Sequence, residues 1–194
     1  IFLALEQIDN PLIVEYALVL LEERNAFIRN HSMALLQKKG SKILTVLRKK
    51  ISSPNEDMRK FIVDIAAEIP SPEAAEIIKM ALNDSEINVV IAAVEHIGRL
   101  HLSDCLPTLL ELFNRTKEPM LITALLSAFA EIGASSALPF IYQKYSTVDK
   151  IPGWLLPIWI KVVGKIGSPE DVRWLYKAFL LHKYKIITPL LDAI

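Results

Sequence analysis

Cysteine is all but absent: Cys105 is the single one in 194 residues. No intrachain disulfide and no cysteine-based metal site can form, which fits a reducing, cytoplasmic setting. Glycine is scarce, and the six present sit mostly at candidate helix ends. That leaves no glycine-rich phosphate loop, and there is no His-Glu-x-x-His or Gly-x-Ser-x-Gly motif either. Net charge is also missing, with 22 basic against 22 acidic residues. The simplest argument for a nucleic-acid or anionic-membrane partner is thereby removed. Long hydrophobic runs are lacking too. "PLIVEYALVLL" and "WLLPIWIKVVG" are too short to span a membrane, and Glu15 and Lys161 interrupt them. The opening "IFLALEQIDN" has neither the basic region nor the small-residue cleavage site of a signal peptide. It starts without Met, inside an apolar pattern, and is expected to be the interior of a longer protein.

What the chain does have is apolar residues, 52% against 23% charged, enough to bury a core. They recur. Five segments, ending at Gly40, Pro70, His101, Gly133 and Gly167, align in columns. Ile28, Met58, Val89, Leu121 and Leu155 share one; Met33, Val63, Val94, Leu126 and Ile160 another; Leu36, Ala66, Ile97, Phe129 and Val163 a third. Spacings of three to five residues place such a stripe on one helix face. The next column is small in four of five: Ala67, Gly98, Ala130 and Gly164, against Gln37. That allows a second helix to approach closely.

Each stop is followed by a second helix. "SPEAAEII" and "SPEDVRWL" offer Ser71 and Ser168 as N-caps, with Pro72 and Pro169 at the first helical position. Core columns are expected at Thr45, Ala75, Leu106, Leu138 and Val172, then at Arg48, Ile78, Leu109, Ile141 and Leu175, the first repeat fitting worst. The stops fall 30, 31, 32 and 34 residues apart, and Asp9 extends the register backwards. "PLIVEYALVLLEER" then reads as a second helix whose first helix is mostly missing, and "YKIITPLLDAI" as an unpaired first helix. Residues 1–194 are expected to be a single array cut at both ends.

The paired-helix period, the small-x-Ile-Gly ending and the Ser-Pro-Glu restart resemble HEAT repeats, in particular the short bacterial HEAT-like or lyase-type repeats of about 31 residues. Tetratricopeptide repeats would show Trp and Leu-Gly-x-x-Tyr, and ankyrin repeats Thr-Pro-Leu-His; neither is in register. The resemblance implies an all-α fold, a right-handed α-α superhelix or solenoid of stacked antiparallel helix pairs, with the second helices lining the concave side.

No convergent catalytic set is visible. His96 and His101, five apart, are poorly spaced for ligands on one helix face, and His31 and His182 stand alone. The acid pairs Glu56-Asp57 and Glu170-Asp171 suit helix starts. Cys105 shares a small apolar column with Ala74 and Ala137 and reads as packing. Trp159 reads as core and Trp154 as exposed. The expectation is therefore a non-enzyme with no cofactor and no metal: a scaffold for a protein partner. Resemblance leaves two alternatives, a nucleic-acid binder like the HEAT-like DNA glycosylases and a bilin lyase-like enzyme or chaperone.

Two surfaces are candidates for partner binding. Residues 24 to 60 hold ten Lys or Arg against two acids, Glu56 and Asp57, but this basicity fades after Lys60. On the second helices, Lys49, Lys79, Tyr142, Arg173, Tyr176 and Lys177 occupy polar or aromatic positions off the main core columns.

Overall fold

The computed structural model describes residues 2–8 and 10–182. Among these residues the protein is all-α, with twelve α-helices, six 3-10 turns and no strand. In chain order the helices are α1 (Phe2–Glu6), α2 (Pro11–Leu20), α3 (Ala26–Lys39), α4 (Leu44–Lys50), α5 (Glu56–Ala66) and α6 (Pro72–Met80), with α3/α4 and α5/α6 on either side of expected stops. There follow α7 (Ile87–Arg99), α8 (Leu106–Arg115), α9 (Pro119–Ile132), α10 (Leu138–Lys144), α11 (Leu156–Ile166) and α12 (Val172–His182), the expected stops at His101, Gly133 and Gly167 falling between successive helices. The expected stop at Asp9 and the segment "YKIITPLLDAI" lie outside the described residues. No described helix is long and apolar enough to cross a membrane.

Two compact units divide the chain, Ile1–His96 and Ile97–Ile194, with the boundary inside α7. In the first unit α3 packs on α1, α2 and α5, and α4 and α6 pack on α5. Leu36, Leu47, Ile62, Val63 and Ile78 are among its fully buried core residues. Asn25, Asn55 and Ser71 cap helix starts, their side chains accepting from the N–H of Phe27, Met58 and Ala74. A repeated device closes the loops before α3 and α5. Arg29 Nη1 donates to the carbonyls of Glu23 and Arg24 at 2.7 and 2.8 Å. Arg59 Nη1 donates to those of Ser53 and Pro54 at 2.8 and 3.4 Å.

In the second unit α9 packs on α8 and α11, α10 on α8, and α12 on α11. Leu109, Phe113, Leu125, Phe129, Ile141 and Trp159 are wholly buried. The small column has the expected effect: a Cβ added at Gly98 would stand 2.8 Å from Ala128 Cα. Two stops share one geometry. Gly133 N–H bonds to Ala130 O and Ala134 N–H to Phe129 O; His101 N–H bonds to Gly98 O and Leu102 N–H to Ile97 O. This paired pattern is the Schellman helix ending, which turns the chain left-handed and favours glycine. His101 adopts it at φ 52° where Gly133 has φ 75°.

The first-helix columns hold, with Met58, Val89, Leu121 and Leu155 buried. One second-helix column does not. Thr45 and Val172 are exposed, Ala75 and Leu106 are half-buried, and only Leu138 is buried. The inward position lies one residue earlier, at Leu44, Ala74, Cys105 and Ala137. The 3-10 turns Gly40–Ile43, Ser103–Cys105 and Ser135–Ala137 precede three of these helices. Such turns wind tighter than an α-helix, but α6 starts without one and shows the same offset at Ala74. Arg48, in the other column, points to solvent, while Leu47 fills the core.

Candidate functional site

Half of the ten cations between Arg24 and Lys60 are spent inside the first unit. Arg29 and Arg59 hold loops. Lys39 Nζ donates to the carbonyls of Leu5, Glu6 and Ile8 at 3.3, 3.2 and 2.7 Å, closing the end of α1. Lys38 pairs with Glu6 and Lys60 with Asp64. Arg59 also grips Asp84 through two bonds, Nε to Oδ2 at 2.7 Å and Nη2 to Oδ1 at 2.8 Å, with both side chains nearly buried. Those hydrogen bonds hold the Asp84 carboxyl below the usual carboxylate range, against the opposing effect of burial. At Asp64 burial pushes the carboxyl up, but the bonds from His96 Nε2 and Lys60 Nζ, each 2.8 Å, outweigh it and the net direction is down. These five cations serve helix ends and acids, while Arg24, Lys42, Arg48, Lys49 and Lys50 are exposed.

The six second-helix candidates separate by unit. In the first, Lys49 is exposed at the end of α4, while Lys79 is half-buried and pairs with Glu76 at 2.7 Å. In the second, Arg173, Tyr176 and Lys177 are exposed on α12. Tyr142 is not on an open surface, contrary to expectation. Its ring stacks on Trp174 at 4.9 Å and 13° and meets the edge of Trp159 at 6.4 Å. Its hydroxyl donates to Asp171 Oδ1 at 2.6 Å. Burial, then this bond, raises the phenol's pKa. The helix count placed Tyr142 off the main core columns, and it is half-buried. What the count lacked was the identity of the groups facing it from α12.

Beside this aromatic cluster lies a cleft of about 360 Å³, formed by residues 146–149 and one face of α12. Val148, Trp174 and Leu180 supply apolar walls, and Ser146, Thr147, Asp149 and Lys177 the polar groups. Sequence reasoning named Lys177 but missed the cleft. A signal existed: the last stop-to-stop spacing is 34 residues, and the added length forms the turn Val148–Lys150 that makes one wall. Among the described residues no group of His, Cys, Asp and Glu could hold a metal ion. Cys105 is buried.

No protein-family profile matches the chain, and no curated protein matches it in sequence. Among solved structures, the complex of CpcE and CpcF of phycocyanin lyase from Nostoc sp. PCC7120 is similar, with a TM-score of 0.51 at 17% identity. The likeness covers 96% of this chain and 94% of that one. The shared feature is the fold, an all-α helical repeat. The expectation of a non-enzyme is overturned by this finding, because a lyase complex is built on the same kind of fold. A short motif records only groups that lie near one another in sequence. Catalytic groups can converge from helices far apart in sequence, where no short pattern records them.

Proposed function

We propose that this chain is a subunit of a lyase-type assembly that attaches a bilin pigment to, or detaches it from, a phycocyanin-like protein. The observation that carries the reading is the near end-to-end likeness to the phycocyanin lyase complex, 96% of one chain on 94% of the other. The HEAT-type period of about 31 residues supports it, since lyase-type HEAT repeats are the ones this period resembles. On this reading residues 1–194 act as one repeat array in the cytoplasm, and the protein works with a protein partner.

An exposed apolar stripe on α2 supports the partner. Leu12, Tyr16 and Val19 are 53%, 66% and 64% exposed, opposite the buried Ala17, Leu18 and Leu21. Spacings of four and three residues put them on one face. Contiguous exposed apolar surface of this kind marks interaction sites. The exposed Lys49, Arg173 and Tyr176 are further contact candidates on the second helices. A nucleic-acid partner has less support, because five of the ten cations in the basic stretch are committed to carbonyls or acids.

The test mixes the purified protein with a free bilin and a pigment-free phycocyanin subunit, with and without the partner recovered alongside it. Visible absorbance that stays with the phycocyanin subunit after denaturation is the expected outcome. Absence of any bound or transferred pigment in both mixtures refutes the reading. Tyr16→Glu should then prevent partner recovery while leaving the helical signal unchanged.

A further inference from the structure

The cleft beside Trp174 contains chemistry that the lyase reading does not use. Its walls are mostly apolar, yet it carries one cation, Lys177, and one anion, Asp149. Both are exposed, and neither has an ion-pair partner among the described residues. Lys177 follows Trp174 by three residues on α12, so the two lie on the same helix face. Asp149 comes from the opposite wall, the turn Val148–Lys150. Ser146 Oγ accepts from Lys150 Nζ at 3.0 Å, which leaves the Ser146 O–H free to donate. Tyr142 stacks on Trp174 and Trp159 lies 6.0 Å from it, so the indole is held before anything binds. A rigid platform lowers the ordering cost of binding.

We propose that this cleft is a binding site for a small zwitterion with a flat apolar body, that is, an aromatic α-amino acid. The ring would lie against Trp174, Val148 and Leu180, the carboxylate would meet Lys177, and the ammonium would meet Asp149. Size agrees: about 360 Å³ is at the small end of the range of roughly 300–1,000 Å³ seen for ligand clefts. A few fixed polar groups above an apolar floor are what orient a ligand in such sites. A simple carboxylate would leave Asp149 unanswered and a simple amine would leave Lys177 unanswered, so the pair of opposite charges selects the zwitterion.

The experiment is calorimetric titration of the purified protein with L-phenylalanine, phenylpropionate and phenylethylamine. L-phenylalanine should bind, and each analogue should bind about fivefold more weakly, the effect of one exposed charge contact. Lys177→Gln should erase the preference over phenylethylamine only, and Asp149→Asn the preference over phenylpropionate only. Both side chains are exposed, so neither change threatens the fold. Equal affinity for the three probes overturns the proposal, as do preferences that survive both substitutions. No heat with L-phenylalanine at millimolar concentration overturns it as well. None of these outcomes bears on the pigment-transfer reading, which is tested without amino acids.

Discussion

Tyr142 and Asp171 lie twenty-nine residues apart and meet through a 2.6 Å hydrogen bond from the phenol to the carboxylate. Asp171 also accepts from the N–H and the hydroxyl of Ser168, at 2.7 and 3.0 Å. One carboxylate thus caps the start of α12 and ties it to α10. Tyr142→Phe keeps the stacking on Trp174 and removes only the bond. A hydrogen bond to a charged group contributes about 1.5–3 kcal/mol, less where water reaches it. We expect a loss of about 1–2 kcal/mol in urea unfolding, with faster amide exchange at the start of α12. An unchanged midpoint would mean that the bond is replaced by water at no cost.

Breaking the Arg59–Asp84 pair should be more damaging. Their side chains are 11% and 8% exposed, so removing one leaves the other charged and nearly dry. Such a loss typically costs about 3–5 kcal/mol. Arg59→Leu should approach that figure in chemical denaturation, since it also frees the carbonyls of Ser53 and Pro54. A cost below about 1 kcal/mol would show that water enters and solvates Asp84.

The same pair sets a pH dependence. Asp84, held down by its bonds to Arg59, and Asp64, held down by His96 and Lys60 despite burial, both have carboxyls below the ordinary range. A depressed carboxyl stabilises the fold above its unfolded pKa near 4 and loses that contribution as pH falls through the folded value. Stability should therefore be flat in these two groups at neutral pH and decline below about pH 4. Asp84→Asn should flatten the acid limb in a series of thermal melts. A limb of unchanged slope would assign the decline to other groups.

Gly98→Ala tests the close approach of two helices. The added Cβ would lie 2.8 Å from Ala128 Cα and 3.0 Å from its Cβ, inside van der Waals contact. Overpacking of this kind costs about 1–3 kcal/mol. Gly153→Ala is the control, because nothing lies within 4 Å of its added Cβ. The first should lower the melting temperature and the second should leave it nearly unchanged.

His101 sits at φ 52° in a helix ending that Gly133 also uses, and its Nδ1 donates to Glu131 O at 2.7 Å. A non-glycine residue there carries about 1–2 kcal/mol of backbone strain. His101→Ala keeps the strain and loses the bond. His101→Gly loses both, although it gains unfolded-state entropy. The glycine variant should melt above the alanine variant, by an amount equivalent to about 1 kcal/mol. The reverse order would place the strain elsewhere.

Much of this architecture was readable from periodic residues alone. The columns through Val63, Val94, Leu126 and Ile160 located the first helices, and Gly40, His101 and Gly133 their ends, because burial and a left-handed turn each demand particular residue types. One column of the second helices was read one position late, at Thr45, Ala75 and Leu106, while Ile78, Leu109 and Ile141 in the other were read in register. The fate of the basic stretch was not legible for another reason. Charge is written in the sequence, but whether Lys39 faces solvent or the carbonyls of Leu5 and Ile8 depends on packing. The cleft at Trp174 was hidden because its walls come from a turn and a helix that share no periodicity.

Arg29 and Arg59 bond to carbonyls only five and six residues behind them. On a ribosome adding about 5–20 residues per second, each such clasp is complete within about a second of its loop being made. Closing a ten-residue loop takes only about 10–100 ns. The loops before α3 and α5 can therefore take their native turn while the rest of the chain is still unmade. Helices α3 and α5 would then each start from a turn already set.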